Sequence, residues 1–245
     1  AAALGAALAG GFARAAEGPA LPKIDWSFER VLGTFDPAAR QRGFQVYQNV
    51  CSACHALGLL HYRDLAEIGY DAEQVKAFAA ATEADDGPND EGEMFKRPGR
   101  AADKLKKPFK NEQAARAANN GALPPDLSLL YKARANGANY IYGVLTGYAD
   151  APAGMSMMSG MNYNKFFPGN QIAMPQPLSD GSVNYADGTK ATLDQQARDV
   201  VTFLAWAAEP NLEARKAMGV KVLLFLLALT ALLYAVKRKV WAKLH

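Results

Sequence analysis

Cys51-Ser52-Ala53-Cys54-His55 constrains this 245-residue chain more than any other feature, because it holds both of the chain's cysteines. A short turn brings two thiols, two residues apart, to the same edge of a flat macrocycle, where each can add to one vinyl group. The adjacent histidine then falls beneath the centre and supplies a proximal imidazole. This is the attachment pattern of a c-type haem, and it predicts one haem c, bound through two thioethers at Cys51 and Cys54, with His55 on the iron. Competing readings are poorer. A structural zinc needs four ligands, and the other histidines are His61 and His245. A thioredoxin-like dithiol would sit in a βαβ pattern, which is not evident here. A disulfide across two residues would be strained.

Charge is unevenly distributed. The whole chain carries a formal +3, but without Arg14 and the five basic residues after position 216, residues 17–216 hold 21 Lys/Arg against 24 Asp/Glu. That stretch is therefore net negative, and no nucleic-acid partner is expected. The opening AAALGAALAGGFARAA is small and apolar, so residues 1–16 read as a signal-like leader. Export fits covalent haem attachment, which places the haem domain outside the bacterial cytoplasm.

Near the other end, MGVKVLLFLLALTALLYAV contains a single charge, Lys221, which can snorkel toward the interface. Residues 217–236 give about 30 Å of helix, enough to cross the hydrocarbon layer of a bilayer. The basic tail at 237–245, with Lys237, Arg238 and Lys239 beside Trp241, puts the C-terminus in the cytoplasm by the positive-inside rule. The expected layout is a leader at 1–16, a periplasmic c-type haem domain at 17–216, a transmembrane anchor at 217–236 and a cytoplasmic tail at 237–245. The protein would then be a single-pass component of the bacterial inner membrane, in contact with membrane lipid.

Between these ends the pattern is mainly helical with long loops. Asp36-Pro37 is a cap and first-turn pair for a helix leading into the haem motif, with Phe44, Val46 and Tyr47 on its apolar side. Residues 63–110 form a charged excursion, acidic over 83–93 and basic over 96–110, expected as loop with short helices. Residues 138–148 form a short apolar helix, and 149–192 are loops with at most a short hairpin. Thr192 caps a helix carrying Val200, Phe203, Leu204 and Trp206, which ends before Pro210.

The ligand opposite His55 is less constrained. His61 would have to swing around the macrocycle within six residues. A thioether raises the potential relative to a second imidazole and suits electron transfer, so the seven methionines compete. Met155, Met157, Met158 and Met161 crowd one loop, where adaptable packing explains them. Met174, in FFPGNQIAMPQPL, is flanked by prolines that limit the chain's freedom. On the residues alone, Met174 and the other methionines both remain open.

Several stretches together, QRGFQVYQNVCSACH, DGPNDEGEMFKRPG, AARAANNGALPPDLS, YIYGVLTGY, NKFFPGNQIAMPQPL, DVVTFLAWAAEP and the anchor ending in KRKVW, closely resemble the cytochrome c1 family across roughly residues 24–243. The resemblance implies a class I cytochrome c-like haem domain, mainly α with long loops, plus one C-terminal transmembrane helix. It implies Met174 as the distal ligand and Asn119, Ala122, Pro124 and Pro125 as haem neighbours. It further implies Arg134 near a propionate and Tyr140 beside the ring. Relatives with an extra disulfide or longer insertions near the distal loop differ from this chain, where that loop is expected to be held by packing alone.

The resemblance also implies function. The chain would be the haem subunit of the cytochrome bc1 complex (ubiquinol–cytochrome c reductase), taking single electrons from a Rieske iron–sulfur protein and passing them to a soluble cytochrome c. Cytochrome b would carry out quinol oxidation, leaving this chain a non-catalytic electron-transfer subunit. Two other readings share the attachment motif: a free-standing, membrane-tethered shuttle cytochrome, and a haem peroxidase with an open sixth site.

Overall fold

Asp36 starts the first long helix. Its carboxylate accepts the Ala39 amide at 3.0 Å, and Pro37 occupies the first helical position, where a missing N–H leaves nothing unpaired. The resulting α1 (Pro37–Asn49) buries Phe44, Val46 and Tyr47. The structure, a computed structural model, describes residues 20–242. The leader at 1–16 and Lys243 of the tail lie outside the described residues.

The partner of α1 is α6 (Leu193–Ala208), which starts where Thr192 Oγ1 accepts the Gln195 amide at 3.1 Å. The two helices approach closely at Gly43, where an added Cβ would lie 2.1 Å from the Asp199 carbonyl oxygen. Any side chain there would force the helices apart. Around this contact Phe44 and Tyr47 meet Phe203 with ring centres 5.6 and 6.0 Å apart, and Phe203 meets Trp206 at 5.8 Å. Burying each such ring contributes about 2–3 kcal/mol. Asp199 is almost wholly buried, and Arg42 answers it with two hydrogen bonds of 2.9 and 3.0 Å. A short α4 (Leu130–Ala133) and then α5 (Gly137–Thr146) complete the helical frame against α6. The architecture is mainly α with long loops, as expected.

The charged excursion is more ordered than a loop. After a 3-10 segment at Tyr62–Ile68 and α2 (Ala72–Ala80), the acidic and basic runs pair as an antiparallel hairpin, β1 (Glu83–Asp86) with β2 (Phe95–Pro98). Asp85 faces Lys96 and Ala84 faces Arg97 across it. Lys96 reaches Glu83 at 3.1 Å, while Arg97 pairs with both Asp86 and Asp103. Cross-strand opposite charges stabilise such a ribbon. Because it has no alternation of apolar residues, its sequence carried no strand period. The short hairpin expected within 149–192 is present as β3 (Asn162–Tyr163) with β4 (Gln171–Ile172).

Beyond Pro210, α7 (Leu212–Trp241) is a 30-residue helix, long and apolar enough to cross a membrane, with none of its apolar window buried. It is longer than 217–236 because its first turns dock on the haem domain. Glu213 Oε1 accepts the Phe35 amide at 2.8 Å, and Lys216 Nζ donates to the carbonyls of Phe28, Arg30 and Gly33 at 2.7, 2.6 and 3.0 Å. The protein is membrane-anchored through this helix.

Candidate functional site

The end of α1 builds the first half of the site. The chain tightens into a 3-10 turn at Cys51–Ala53, and the amides of Cys54 and His55 both donate to the Cys51 carbonyl, at 3.1 and 2.8 Å. This puts both sulfurs on one turn as free thiols. Cys51 is half-buried against the core and Cys54 is exposed. Burial pushes the Cys51 thiol up to about 12.

His55 is held at both backbone and ring. Its carbonyl accepts the Tyr47 hydroxyl at 3.1 Å, and its Nδ1 lies 2.8 Å from the Pro125 carbonyl oxygen. A carbonyl can only accept, so Nδ1 carries the proton and Nε2 keeps the free lone pair. Burial lowers the imidazole's proton affinity against the opposing pull of the Pro125 carbonyl and Asp126, favouring the neutral ring that a metal needs.

Pro125 is held in place by a seam of hydrogen bonds along the haem motif. Leu127 N donates to Ala56 O at 2.9 Å, Gly58 N to Asp126 Oδ2 at 2.9 Å, and Leu59 N to Ser128 Oγ at 3.1 Å. Asp126 Oδ1 also accepts the Ser128 amide at 2.8 Å. Thus PPDLS runs alongside residues 55–59 and brings Pro124 with it. Asn119 and Ala122 lead into this stretch. Asn119 ends α3 (Glu112–Ala118), its amide nitrogen donating to Ala115 O at 2.7 Å, and Ala122 N donates to Asn119 O at 2.9 Å.

Met174 lies two residues beyond the end of β4 and is half-buried. Its carbonyl accepts the Tyr148 hydroxyl at 3.0 Å and Asn162 Nδ2 at 3.4 Å. Behind it, wholly buried Asn164 donates to Val144 O at 2.7 Å and accepts the amides of Phe166 and Phe167 at 3.0 and 3.2 Å. The expectation that packing alone holds the distal loop is therefore corrected: an asparagine network ties it to α5. Met158, by contrast, is exposed, as are Met94 and Met218.

Arg134 is exposed, and its guanidinium stands 5.8 Å from the centre of the Tyr140 ring. Among the described residues no carboxylate pairs with it. His61 is committed elsewhere, its amide and Nδ1 meeting Asp64 Oδ2 at 2.7 and 3.5 Å. A groove of about 460 Å³ lies behind the Cys51–Ala53 turn, lined in part by Tyr47, Ser52, Ala53 and Tyr62 but by neither His55 nor Met174.

The donor set fits a haem and does not fit a bare ion. Two free thiols share one turn, the adjacent imidazole has a free Nε2, and among the described residues no group of three or more His, Cys, Asp or Glu could hold a metal. Sequence reasoning named Pro125 as a neighbour but missed its carbonyl as the histidine's acceptor. It also missed Tyr47, Asp126, Tyr148 and Asn164. Nothing local marks these residues, since each acts through a partner distant in sequence or through backbone atoms.

Fold, anchor and donor set define a membrane-anchored haem protein. Residues 26–244 match the cytochrome c1 family, and the chain belongs to that family, the haem subunit of the cytochrome bc1 complex. It is 54% identical to "Cytochrome c1 2, heme protein, mitochondrial" of Arabidopsis thaliana, over 91% of this chain and 73% of that protein. It is 48% identical to the cytochrome c1 of Rhodospirillum rubrum, over 95% of this chain and 92% of that one. It is also 48% identical to "Cytochrome b/c1" of Bradyrhizobium diazoefficiens, over 95% of this chain and 37% of that longer protein.

Proposed function

We propose that this protein is a one-electron carrier that accepts electrons from a Rieske iron–sulfur protein and delivers them to a soluble cytochrome c, beside cytochrome b. Cys51 and Cys54 would hold one haem c through thioethers, with His55 Nε2 and Met174 as its donors to iron. When bound, that haem supplies reversible one-electron exchange. The observation that carries this reading is the His55–Pro125 hydrogen bond of 2.8 Å, which aims a neutral imidazole from the same turn that presents both thiols.

Each residue has a physical task. The Tyr47 hydroxyl and the Asp126 seam keep His55 from rotating. Tyr148, Asn162 and Asn164 fix the backbone at Met174, so a weak thioether donor is held by its chain. Asn119, Ala122, Pro124 and Pro125 would shield the haem on the His55 side, and Tyr140 would pack beside it. Arg134, which no carboxylate among the described residues answers, would be available to a propionate through charge-assisted hydrogen bonds. With His55 and Met174 both committed to the haem, the chain would exchange electrons without transforming a substrate itself.

Cytochrome b as a neighbour is supported by the Bradyrhizobium relative, whose name joins the two cytochromes. Lys237, Arg238 and Lys239 at the end of α7 support a cytoplasmic C-terminus, with residues 17–216 in the periplasm, 217–236 in the bilayer and 237–245 beyond it.

The test is haem extraction. Cys51→Ser or Cys54→Ser retains one thioether at most, and the double variant releases its haem into acidic organic solvent. Haem that stays with the double variant overturns the attachment. Copurification of cytochrome b and the Rieske protein in mild detergent tests the assembly, and a chain that purifies alone overturns it.

A further inference from the structure

Val31 and Leu32 are 87% and 71% exposed, more than the other large apolar side chains among the described residues, those of the bare anchor helix included. Isolated exposed apolar residues are ordinary on a protein surface, but this pair sits on a rigid turn. Gly33 N donates to Arg30 O at 3.0 Å and Ser27 Oγ to Thr34 O at 2.9 Å. The backbone closes so tightly that a Cβ at Gly33 would lie 1.7 Å from the Ser27 carbonyl oxygen. The turn cannot fold its two apolar side chains inward.

The turn is also bound to the root of the anchor. Lys216 Nζ donates to the carbonyls of Phe28, Arg30 and Gly33 at 2.7, 2.6 and 3.0 Å, spanning Val31 and Leu32 on both sides. Residues 217–236 fill about 30 Å of hydrocarbon, so Lys216 lies at its edge. With about 3.8 Å between successive Cα atoms, Val31 and Leu32 are within two residues of the bonded carbonyls. Clamped to the residue that immediately precedes the span, Val31 and Leu32 are held beside the root of the anchor.

We infer that the Arg30–Gly33 turn is a second membrane contact of the haem domain, with Val31 and Leu32 seated at the headgroup–acyl boundary of the lipid bilayer. The inference rests on the membrane-anchor reading of α7. A single spanning helix leaves its domain free to tilt and swivel. A second contact, clamped to the first through Lys216, fixes the inclination of the haem domain over the bilayer.

The test uses the full chain, assembled in its own membrane, with p-benzoylphenylalanine introduced at Leu32. Leu226 in the anchor and Met94, exposed on the charged hairpin, carry the same probe as references. On illumination, Leu32 should form phospholipid adducts several-fold above the yield at Met94. A yield no higher than at Met94, or adducts on a protein subunit instead, overturns the second contact while leaving the anchor intact. Failure of the Leu226 probe to label lipid or a transmembrane neighbour overturns the anchor reading itself.

Discussion

The ring of His55 and the carbonyl of Pro125 meet at 2.8 Å across a separation of 70 residues. The contact decides which imidazole nitrogen remains free, and it depends on the seam along Asp126–Ser128 that holds Pro125 in place. The setting of His55 is therefore built by two segments that neither recognise each other by apolar pattern nor lie close in sequence.

Asp126 is the strongest link in that seam, accepting the amides of Gly58 and Ser128. Hydrogen bonds to a charged group contribute about 1.5–3 kcal/mol, partly offset here by exposure to water. Asp126→Ala should destabilise the haem-loaded protein by about 2 kcal/mol in denaturant unfolding, and Asp126→Asn by less. An unchanged midpoint for the alanine variant would remove the seam from the account of the site.

On the distal side, Asn164→Leu keeps volume and deletes the partners of three backbone groups, Val144 O and the amides of Phe166 and Phe167. Leaving buried polar groups unpaired costs about 1–3 kcal/mol each, so a loss of about 3 kcal/mol is expected. Because this network anchors the hairpin before Met174, the reduced protein should also bind carbon monoxide faster. Lost stability without faster binding would separate Asn164 from ligand positioning.

The hairpin carries a pH prediction. The Arg97 guanidinium beside Asp103, helped by the Arg100 amide, lowers its carboxyl from 3.8 to about 2. A depressed carboxyl contributes stability that is present above its unfolded value and is lost as pH falls through the folded one. The contact should therefore persist at pH 4 and fail near pH 2. In Arg97→Ala, the Asp103 resonance followed by NMR should titrate near its ordinary value. A titration still near 2 would show that Arg97 is not the cause.

Docking is tested on the same hairpin. Of the six acidic residues at 83–93, Glu83 and Asp86 are engaged by Lys96 and Arg97. Asp85, Asp90, Glu91 and Glu93 are thus the ones to neutralise. Replacing them with amides should slow electron transfer to a basic cytochrome c by about 2–10-fold at low ionic strength, with the difference vanishing as the Debye length falls to about 8 Å. An unchanged bimolecular rate at low salt would assign docking to another surface.

Much of the scaffold was legible from local chemistry. Asp36-Pro37 and Thr192 declare their helices through caps, and the run after Met218 declares itself through length and hydropathy. The Cys51–His55 motif is a local pattern as well. The β1–β2 hairpin was not legible, because it pairs charge with charge and leaves no apolar period. The clamp from Lys216 to Phe28, Arg30 and Gly33 joins a side chain to carbonyls more than 180 residues away, and carbonyls look alike in every sequence. Met174 stood out from the other methionines through its prolines and through resemblance. The polar network of Tyr148, Asn162 and Asn164 that holds it became apparent only once the chain was folded.

The central claim is that His55 and Met174 hold one covalently attached haem. The most direct measurement is the reduction potential of Met174→Leu, taken together with carbon monoxide binding to its reduced form. The account predicts a lower potential and rapid carbon monoxide binding, since leucine removes the thioether and adds no donor. The same change at Met155, Met157, Met158 or Met161 should do neither. A silent Met174→Leu, with the phenotype reproduced at one of those four methionines, would contradict the account.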